Sequence, residues 1–331
     1  MRKALTAFIA VAGIALVAGA LSAVDGFRPL AGIVFPYAAM AALLIGLSWR
    51  VIRWARSPVP FRIPTVCGQQ KSLAWIKPSR LESPYSTAGV IARMGLEVLL
   101  FRSLFRNTRS RLADGPRLIY GEAKWLWLGA LAFHWSMLIV VLRHLRFVID
   151  PAPKLAVWLE NVDGFFQIGA PVLYATDLVM LAALVYLLAR RLREPQIRFI
   201  SLFTDYFALF LLLGIAISGV WMRYFARVDA VAVKQLALSL TIFAPRIPAN
   251  VSGWFFIHLA LVCTLAAYLP FSKLMHMGGV FLSPTRNLAN NNRMKRHVNP
   301  WNYPVKVHTY EEWEDEFRDK IEAAGLPVEK G

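Results

Sequence analysis

The chain is poor in cysteine and in charge. Only two of its 331 residues are cysteines, and only 17% of them are charged. Cys67 lies in a polar segment and Cys263 in a long apolar run, and no Cys-x-x-Cys pair occurs. The sequence therefore predicts no iron–sulfur cluster, no zinc site and no disulfide within this chain. Any iron–sulfur chemistry would belong to a partner protein.

Acidic residues are also scarce, with 20 Asp and Glu against 37 Lys and Arg and a formal net charge of +17. In a soluble protein this excess would suggest nucleic-acid binding. Here 57% of the residues are hydrophobic, and the basic residues fall mostly between long apolar runs. That pattern is typical of a membrane protein whose cations set its topology and meet anionic lipid. No nucleic-acid partner is expected.

Six apolar runs come close to the ~20 residues that a helix needs to cross a bilayer. They are Ala4–Val24, Leu30–Leu47, Trp125–Ile149, Ile168–Ala189, Leu202–Met222 and Trp254–His276. The first could instead be a signal peptide, although it exceeds the usual ~7–15 apolar residues of one. The expected fold is all-α and integral to the membrane. It comprises an N-terminal helix pair (residues 1–50), a basic cytoplasmic insert (51–121), a four-helix core (122–279) and a cytoplasmic tail (280–331).

Charge distribution predicts the orientation of these spans. Lys and Arg heavily outnumber Asp and Glu in residues 51–121, and four arginines lie between the fourth and fifth spans. The segment between Val148 and Phe166 has the opposite balance, with Lys154 as its single cation. The positive-inside rule therefore places both termini in the cytoplasm. The loop 223–253 carries four cations on the predicted outer side, and its stretch Ala230–Phe243 suggests an amphipathic helix on the membrane surface.

Four of the six histidines lie in or at the end of two apolar spans. An ionisable side chain within a membrane is a functional-site hypothesis by default, and haem iron accepts axial imidazole. The third and sixth spans are antiparallel, which predicts the pairs His134 with His276 and His144 with His258. Ten residues are about 15 Å of helix and 18 residues about 27 Å, or five whole turns. Tilt, or a break at Pro270, must absorb that difference in length.

Single intramembrane histidines are often hydrogen-bonded packing residues or parts of a proton relay. Four of them at these spacings favour two bis-histidine b haems. Two other classes of protein stay open: a haem-free proton-coupled transporter, and an anchor that only tethers a soluble redox complex.

The sixth span and its exit read WFFIHLALVCTLAAYLPFSKLMHMGG, from residue 254 to 279. This segment resembles the closing helix of the respiratory nitrate reductase gamma-subunit family of cytochromes b. In that family two histidines 18 residues apart, the second after Pro-Phe-Ser-Lys/Arg, and two histidines ten residues apart on another helix bind two b haems. The resemblance covers about 124–279. It implies that His134, His144, His258 and His276 are the iron ligands.

A narrower resemblance rests on the segment 280–306, the two additional N-terminal spans and the basic insert. These features resemble the DsrM-type cytochromes b of DsrMKJOP complexes, and the related HmeC type. The resemblance implies electron transfer between a membrane quinone, menaquinone or ubiquinone, and a cytoplasmic iron–sulfur partner. That partner would be DsrK-like and similar to heterodisulfide reductase, with further DsrJOP-like subunits, in dissimilatory sulfur metabolism. The expected location is the inner membrane of a bacterium or archaeon. Another respiratory complex, of nitrate reductase or heterodisulfide reductase type, is the alternative.

Cations near the histidines are candidate partners of haem propionates, because guanidinium groups pair well with carboxylates. The alternative role for each is to anchor a span end at the membrane interface. The candidates on the predicted outer side are Arg143, Arg146 and Arg223, and the inner candidate is Lys273.

A quinone site also needs a proton acceptor. Asp177 lies in the predicted fourth span, several turns from its outer end, and is the deepest carboxylate in the sequence. Its alternative role is that of a hydrogen-bonded structural carboxyl group facing neighbouring helices. Lys154 in the outer loop is a second candidate for this catalytic role. We expect the quinone to react near His144 and His258.

Overall fold

The computed structural model of this protein describes residues 2–57, 68–106, 108–113, 115, 117–283, 285–294 and 307–329. Cys67 lies outside the described residues. Of the described part, most is helical, as the apolar runs predict.

The first part of the chain forms two long helices. Helix α1 spans Arg2–Ser22. A 3₁₀ turn at Asp25–Phe27 and a π-helical turn at Leu30–Val34 lead into α2, Phe35–Ala55. The predicted N-terminal span pair is therefore helical, and α2 extends eight residues beyond the predicted end at Leu47.

The insert that follows contains two helices and a hairpin. Helix α3 spans Thr87–Leu100. Its N-cap residue is Ser86, whose hydroxyl accepts a hydrogen bond from the amide of Gly89. Helix α4 spans Arg102–Phe105. Strands β1 (Thr108–Ala113) and β2 (Arg117–Glu122) pair antiparallel, with Thr108 opposite Glu122. This hairpin is an exception to the predicted all-α fold.

The core of the protein begins after the hairpin. Its first helices are α5 (Lys124–Val148), α6 (Lys154–Asp163), α7 (Ala175–Arg193), α8 (Pro195–Ile200) and α9 (Phe203–Val220). A π-helical turn, Trp221–Phe225, ends α9. They are followed by α10 (Ala230–Thr241), α11 (Gly253–Tyr268), two 3₁₀ turns (Leu269–Phe271 and Lys273–Met275), α12 (His276–Leu282) and α13 (Tyr310–Ala323).

Five of the described helical segments are long and apolar enough to cross a membrane. They are Arg2–Ser22, Asp25–Ala55, Lys124–Val148, Phe203–Phe225 and Gly253–Phe271. The predicted fourth span corresponds to α7, which carries Asp177 near its start and three arginines in its last turn. Because of these charges, α7 is not apolar enough to be counted with the five candidate spans. The count of six spans therefore stays a prediction.

Contacts between helices show their relative directions. α1 runs parallel to α9, since Ala7 packs with Tyr206 and Val11 with Leu211. α2 with the turn before it runs parallel to α11 and its exit, since Cβ atoms on Gly32 and Gly46 would lie 2.9 Å from the Phe256 ring and 2.7 Å from Pro270 Cβ. α1 and α11 are antiparallel, since Val11 packs with Leu261 and a Cβ on Gly19 would lie 3.4 Å from Ile257. α1 and α9 therefore run one way through the bundle, and α2 and α11 run the other way.

α5 and α7 are antiparallel and closely packed. A Cβ on Gly129 would lie 2.6 Å from the Tyr186 ring, and Arg143 reaches Asp177 near the start of α7. α7 thus packs in line with the five apolar helices, with Leu184 buried against the α9 residues Leu212 and Leu213. We call the end of the bundle where α1 and α5 begin the insert end. The opposite end, with α6 and α10, is the loop end.

The predicted fourth span begins later than expected. It was expected at Ile168, but α7 begins at Ala175. Gly169, with φ +84°, and Pro171 interrupt helical geometry in the intervening segment. Asp177 consequently lies in the first turn of α7, at the loop end, rather than several turns inside the span. The expectation of a deeply placed carboxylate was wrong.

The predicted sixth span ends earlier than expected. α11 stops at Tyr268, and two 3₁₀ turns separate it from His276. Pro270 cannot donate the helical backbone hydrogen bond and clashes with the preceding turn, which explains the interruption there. Of the two ways to absorb the difference in length, tilt or a break at Pro270, the break is present, and an unbroken helix of five turns from His258 to His276 was wrong.

Candidate functional site

The structure brings together two of the four intramembrane histidines at the insert end. The rings of His134 on α5 and His276 at the start of α12 have centres 6.0 Å apart, with an angle of 81° between their planes. Two imidazoles that bind one metal ion from opposite sides, at about 2.0–2.1 Å from nitrogen to metal, have ring centres about 6 Å apart. The separation of this pair therefore fits two axial ligands of a single iron.

The other two histidines lie toward the loop end, His144 on α5 and His258 on α11. The His144 ring contacts the Phe147 ring, with ring centres 5.8 Å apart. The surrounding side chains join the same two helices, because Phe147 of α5 packs against the cluster that contains Phe255 and Phe256 of α11. We refer to His134 and His276 as the insert-end pair and to His144 and His258 as the loop-end pair.

All four rings hold a fixed orientation through the same nitrogen. The Nδ1 atoms of His134 and His144 lie 2.7 Å from the carbonyl oxygens of Ala130 and Val140, one turn earlier on α5. His276 Nδ1 lies 3.0 Å from the Lys273 carbonyl oxygen. An Nδ1–H that donates to a carbonyl oxygen leaves the lone pair on Nε2, the arrangement usual for metal-bound histidine.

His258 obtains the same orientation from a neighbouring helix. Its Nδ1 lies 2.9 Å from the Ser218 hydroxyl oxygen on α9. That hydroxyl donates to the Ile215 carbonyl oxygen, so its own oxygen accepts the His258 proton. Gly219 lies directly beside the ring, where an added Cβ would be 3.4 Å from His258 Cε1. Sequence reasoning missed Ser218 and Gly219, because nothing in a lone Ser-Gly dipeptide identifies its contact 40 residues away.

The donor set and its geometry fit haem b. Four imidazoles, each with Nδ1 engaged by an oxygen, lie on α5, on α11 and at the start of α12, and α5 and α11 pack chiefly on other neighbours. α5 packs on α7, α6 and α10, whereas α11 packs on α1, α2 and α9. Among the described residues no group of three or more His, Cys, Asp and Glu is placed to hold a metal ion by itself. Ligation by two imidazoles suits an iron that already has porphyrin nitrogen ligands.

The insert reaches the insert-end pair. Phe101, between α3 and α4, contacts the His134 ring edge-on, with ring centres 4.9 Å apart. Phe101 has φ +50°, a conformation that is rare for a bulky residue and often marks a functional constraint. Two tryptophans of α5 bond to the end of α3: the indole N–H groups of Trp127 and Trp135 donate to the carbonyl oxygens of Leu100 and Leu99. The sequence alone did not predict this contact.

Arg143 forms ion pairs with two protein carboxylates through its terminal nitrogens, while its Nε is buried without a hydrogen-bond partner among the described residues. The side chains of Arg143 and Asp163 are 7% and 3% exposed, and they form an ion pair at 3.2 Å. A second ion pair, at 3.1 Å, joins Arg143 to Asp177. Asp177 also accepts a hydrogen bond of 2.8 Å from the Tyr224 hydroxyl. These partners match the structural role that was the alternative for Asp177.

Tyr174 connects the remaining cations of the loop end. The guanidinium groups of Arg143 and Arg223 each lie 3.9 Å from the centre of its ring. The Tyr174 hydroxyl donates to Glu160, which also forms an ion pair with Arg146. Burial would raise the pKa of Glu160, but the hydrogen bonds from Arg146 and Tyr174 outweigh it and hold that pKa below its usual value.

Arg223 differs from the other two arginines. It donates to the Val172 carbonyl oxygen at 3.1 Å, but its Nε is buried without a hydrogen-bond partner in the described part of the chain. Lys273 is 70% exposed, and its Nζ pairs with Asp205 at 2.9 Å. Lys154 is exposed at the first position of α6. Arg143 also leaves a buried Nε without a partner, so Arg223 differs from Arg143 and Arg146 in forming no ion pair with a carboxylate in the described part of the chain.

An α-helical membrane bundle with paired intramembrane histidines has the architecture of a membrane cytochrome b. The comparisons with known proteins agree: the model of the family described as nitrate reductase gamma subunit matches residues 119–296. The chain belongs to this family of cytochromes b, which implies that it binds haem b and transfers electrons.

Individual relatives extend the likeness beyond the matched domain. The chain is 46% identical to the "Hdr-like menaquinol oxidoreductase cytochrome b-like subunit" of Archaeoglobus fulgidus, over 82% of each chain. The protein of the same name from Archaeoglobus profundus is 43% identical, over 80% of this chain and 81% of the relative. The nitrate reductase gamma chain of Bacillus subtilis is 29% identical, over 51% and 77% respectively. The first two alignments are longer than the matched family domain.

Proposed function

We propose that this protein is the membrane cytochrome b subunit of an Hdr-like menaquinol oxidoreductase, carrying electrons through two b haems. The observation that carries the proposal is the insert-end pair, with ring centres 6.0 Å apart and both Nδ1 atoms bonded to backbone carbonyl oxygens. Two relatives that align over about four fifths of the chain bear that name. More specifically, we propose that it is a DsrM-type subunit that acts in dissimilatory sulfur metabolism.

His134 and His276 would hold one haem iron, and His144 and His258 would hold the other. When bound, haem supplies one-electron iron chemistry that no amino-acid side chain here provides. The protein orients each Nε2 through the oxygen that accepts the Nδ1 proton. Its apolar helices exclude water from the region between the two pairs.

The quinone site is proposed at the loop end, beside His144. Arg143 and Arg146 flank His144 on α5, and Arg143 pairs with Asp177, so the polar cluster adjoins the loop-end pair. Asp177 is the proposed proton acceptor, reached through the Tyr224 hydroxyl that donates to it. Lys154 on α6 is the second candidate and would hold a proton at the exposed surface. The substrate would be menaquinone or ubiquinone, and the relatives' name favours menaquinone.

The insert end is proposed to face the cytoplasm. The basic insert joins the end of α2 to the start of α5 at this end, and the arginines at the end of α7 lie on the same side. The positive-inside rule predicts a cytoplasmic location for such segments. A cytoplasmic iron–sulfur protein, DsrK-like and similar to heterodisulfide reductase, would exchange electrons there with the insert-end pair. Further DsrJOP-like subunits complete the proposed complex in a bacterial or archaeal inner membrane.

Propionate binding at the loop end is proposed for Arg223, which has a buried, unpaired Nε and forms no ion pair with a carboxylate in the described part of the chain. Arg143 and Arg146 were candidates for the same role, and their ion pairs with Asp163, Asp177 and Glu160 favour a structural one. Lys273 pairs with Asp205 through its side chain. Its contribution to the insert-end pair is the carbonyl oxygen that orients His276.

Single His→Ala variants test the ligand assignment. We expect His134→Ala and His276→Ala to remove the same haem, and His144→Ala and His258→Ala to remove the other. Haem-to-protein ratio and reduced-minus-oxidised spectra of the purified variants measure this. Because quinol should react near the loop-end pair, His144→Ala and His258→Ala should abolish reduction by a menaquinol analogue while dithionite still reduces the remaining haem.

His308→Ala is the matched control, since His308 lies before α13 and pairs with Glu316 at 3.7 Å. It should retain two haems per chain. Purified protein without a Soret band would contradict the proposal and favour a haem-free transporter. Retained haems that no quinol analogue reduces would instead favour a structural anchor.

A further inference from the structure

Arg50, near the insert end of α2, is a cation without an assigned role. Its Nε is buried and has no hydrogen-bond partner among the described residues. Its guanidinium group lies over the Trp54 ring, 5.4 Å from the ring centre. Leaving a buried polar group of a charged side chain unpaired is costly, so such a group usually has a partner. In the described part of the chain no carboxylate pairs with Arg50.

The face of α2 that carries Arg50 packs on the segment that carries His276. Gly46, Arg50 and Trp54 follow one another every four residues and therefore lie on one face of α2. A Cβ on Gly46 would lie 2.7 Å from Pro270 Cβ. Farther along the same face of α2, the Trp54 ring lies 3.6 Å from the position that a Cβ on Gly279 would take. Arg50 thus lies between two contacts that bracket His276 in sequence.

Other charges around this segment are already paired. Lys273, three residues before His276, forms an ion pair with Asp205, and Arg191 also contacts Asp205 at 3.7 Å. Arg53 is exposed and stacks on Trp49, with 5.3 Å from its guanidinium carbon to the ring centre. Arg50 is therefore the cation here that combines a buried, unpaired donor with a place on the face toward His276.

We propose that Arg50 binds a carboxylate group next to the insert-end pair, namely a propionate of the haem held by His134 and His276. This inference rests on the proposed function. Arginine suits the task because its planar guanidinium group binds carboxylates with two parallel hydrogen bonds and stays charged. Arg50 lies outside residues 119–296, the part that matches the family model. The N-terminal helix pair would thus complete a site that the family domain forms only in part.

A fixed positive charge close to an iron centre favours its reduced form, since reduction adds a negative charge. Removing that charge should shift the reduction equilibrium of the insert-end haem toward the oxidised form. We expect Arg50→Gln to lower the reduction equilibrium constant about tenfold, which is about 59 mV for one electron. The loop-end haem should keep its potential.

The test uses potentiometric titration of the full-length protein with its haems, followed by visible spectroscopy. Arg50→Gln is compared with Arg50→Lys, which keeps the charge and should shift the potential less. Arg53→Gln is the matched control, because Arg53 is also an α2 arginine stacked on a tryptophan, but an exposed one. The component that His276→Ala lacks identifies the insert-end haem.

An unchanged potential of both haems in Arg50→Gln would overturn the inference and leave the proposed function intact. An anionic phospholipid headgroup offers similar chemistry. In that case Arg50→Gln would lose bound phospholipid, detected by native mass spectrometry, and its potential shift would vanish in neutral lipid; this too would overturn the inference. Wild-type protein without two haem components would contradict the proposed function itself.

Discussion

At the residue scale, the feature shared by the four histidines is the oxygen that accepts each Nδ1 proton. Three of these acceptors are backbone carbonyl groups three or four residues earlier in the chain, so their position follows from local helical geometry. The fourth is the Ser218 hydroxyl, supplied by another helix. His258 is therefore the ligand candidate whose orientation a single side-chain change can disturb.

We expect Ser218→Ala to weaken haem binding at the loop-end pair by about 10–100-fold, the usual effect of losing such a supporting hydrogen bond. Titration of haem into the apoprotein, or haem retention on dilution, measures the change. Thr264→Ala on α11 is the control, because its hydroxyl bonds only to the Ala260 carbonyl oxygen of its own helix. Equal haem retention in both variants would show that Ser218 does not orient a ligand.

At the element scale, two interruptions determine how the histidines meet. The break after Tyr268 interrupts the helix between His258 and His276, which would lie about 27 Å apart along an unbroken helix. The short packing distance between α2 and this break depends on Gly46, because any side chain there would meet Pro270 and Phe271. Helix α2 therefore supports the segment that carries His276.

We expect Gly46→Ala to destabilise the protein by about 1–3 kcal/mol, the usual cost of overpacking a close contact. Thermal unfolding in detergent, followed by circular dichroism, measures the loss. Gly13→Ala provides the comparison, since an added Cβ on α1 would meet nothing within 4 Å. Alanine favours helix over glycine by about 0.8–1 kcal/mol, so this control should be neutral or stabilising. A stabilised Gly46→Ala protein would contradict the close packing described here.

At the scale of the whole molecule, the bundle separates two polar ends. The insert end carries Phe101 and the basic insert close to His134, and the loop end carries the Arg143 and Tyr174 contacts close to His144. A protein of this form can bind a quinone at one membrane surface and a soluble redox partner at the other. Family membership is consistent with that division.

We expect both termini to face the cytoplasm. Green fluorescent protein fused after Gly331 should therefore fluoresce, and alkaline phosphatase at the same position should be inactive. Phosphatase inserted between Pro151 and Pro153, in the loop before α6, should be active, because the loop end is predicted to face outward. The opposite pattern of reporter activity would reverse the proposed direction of the bundle.

Apolar run length and histidine spacing were sufficient to predict a helical membrane protein and to name its four candidate ligands, while the family rested on the resemblance of the segment 254–279. These signals are local, because a span must be continuously apolar and a ligand pair recurs along one or two helices. The break at Pro270 was also foreseeable, since proline acts on its own helix. The start of α7 was missed because Gly169 and Pro171 lie in a run that is otherwise apolar.

Contacts between residues distant in sequence were decided by tertiary packing alone. Ser218 meets His258, Phe101 meets His134, and Arg143 is drawn into ion pairs with Asp163 and Asp177. Arg50 likewise lies near the segment that carries His276 only because α2 packs along the residues that follow α11. A sequence specifies which residues carry charge or a lone pair, whereas the distance between them depends on how the helices pack.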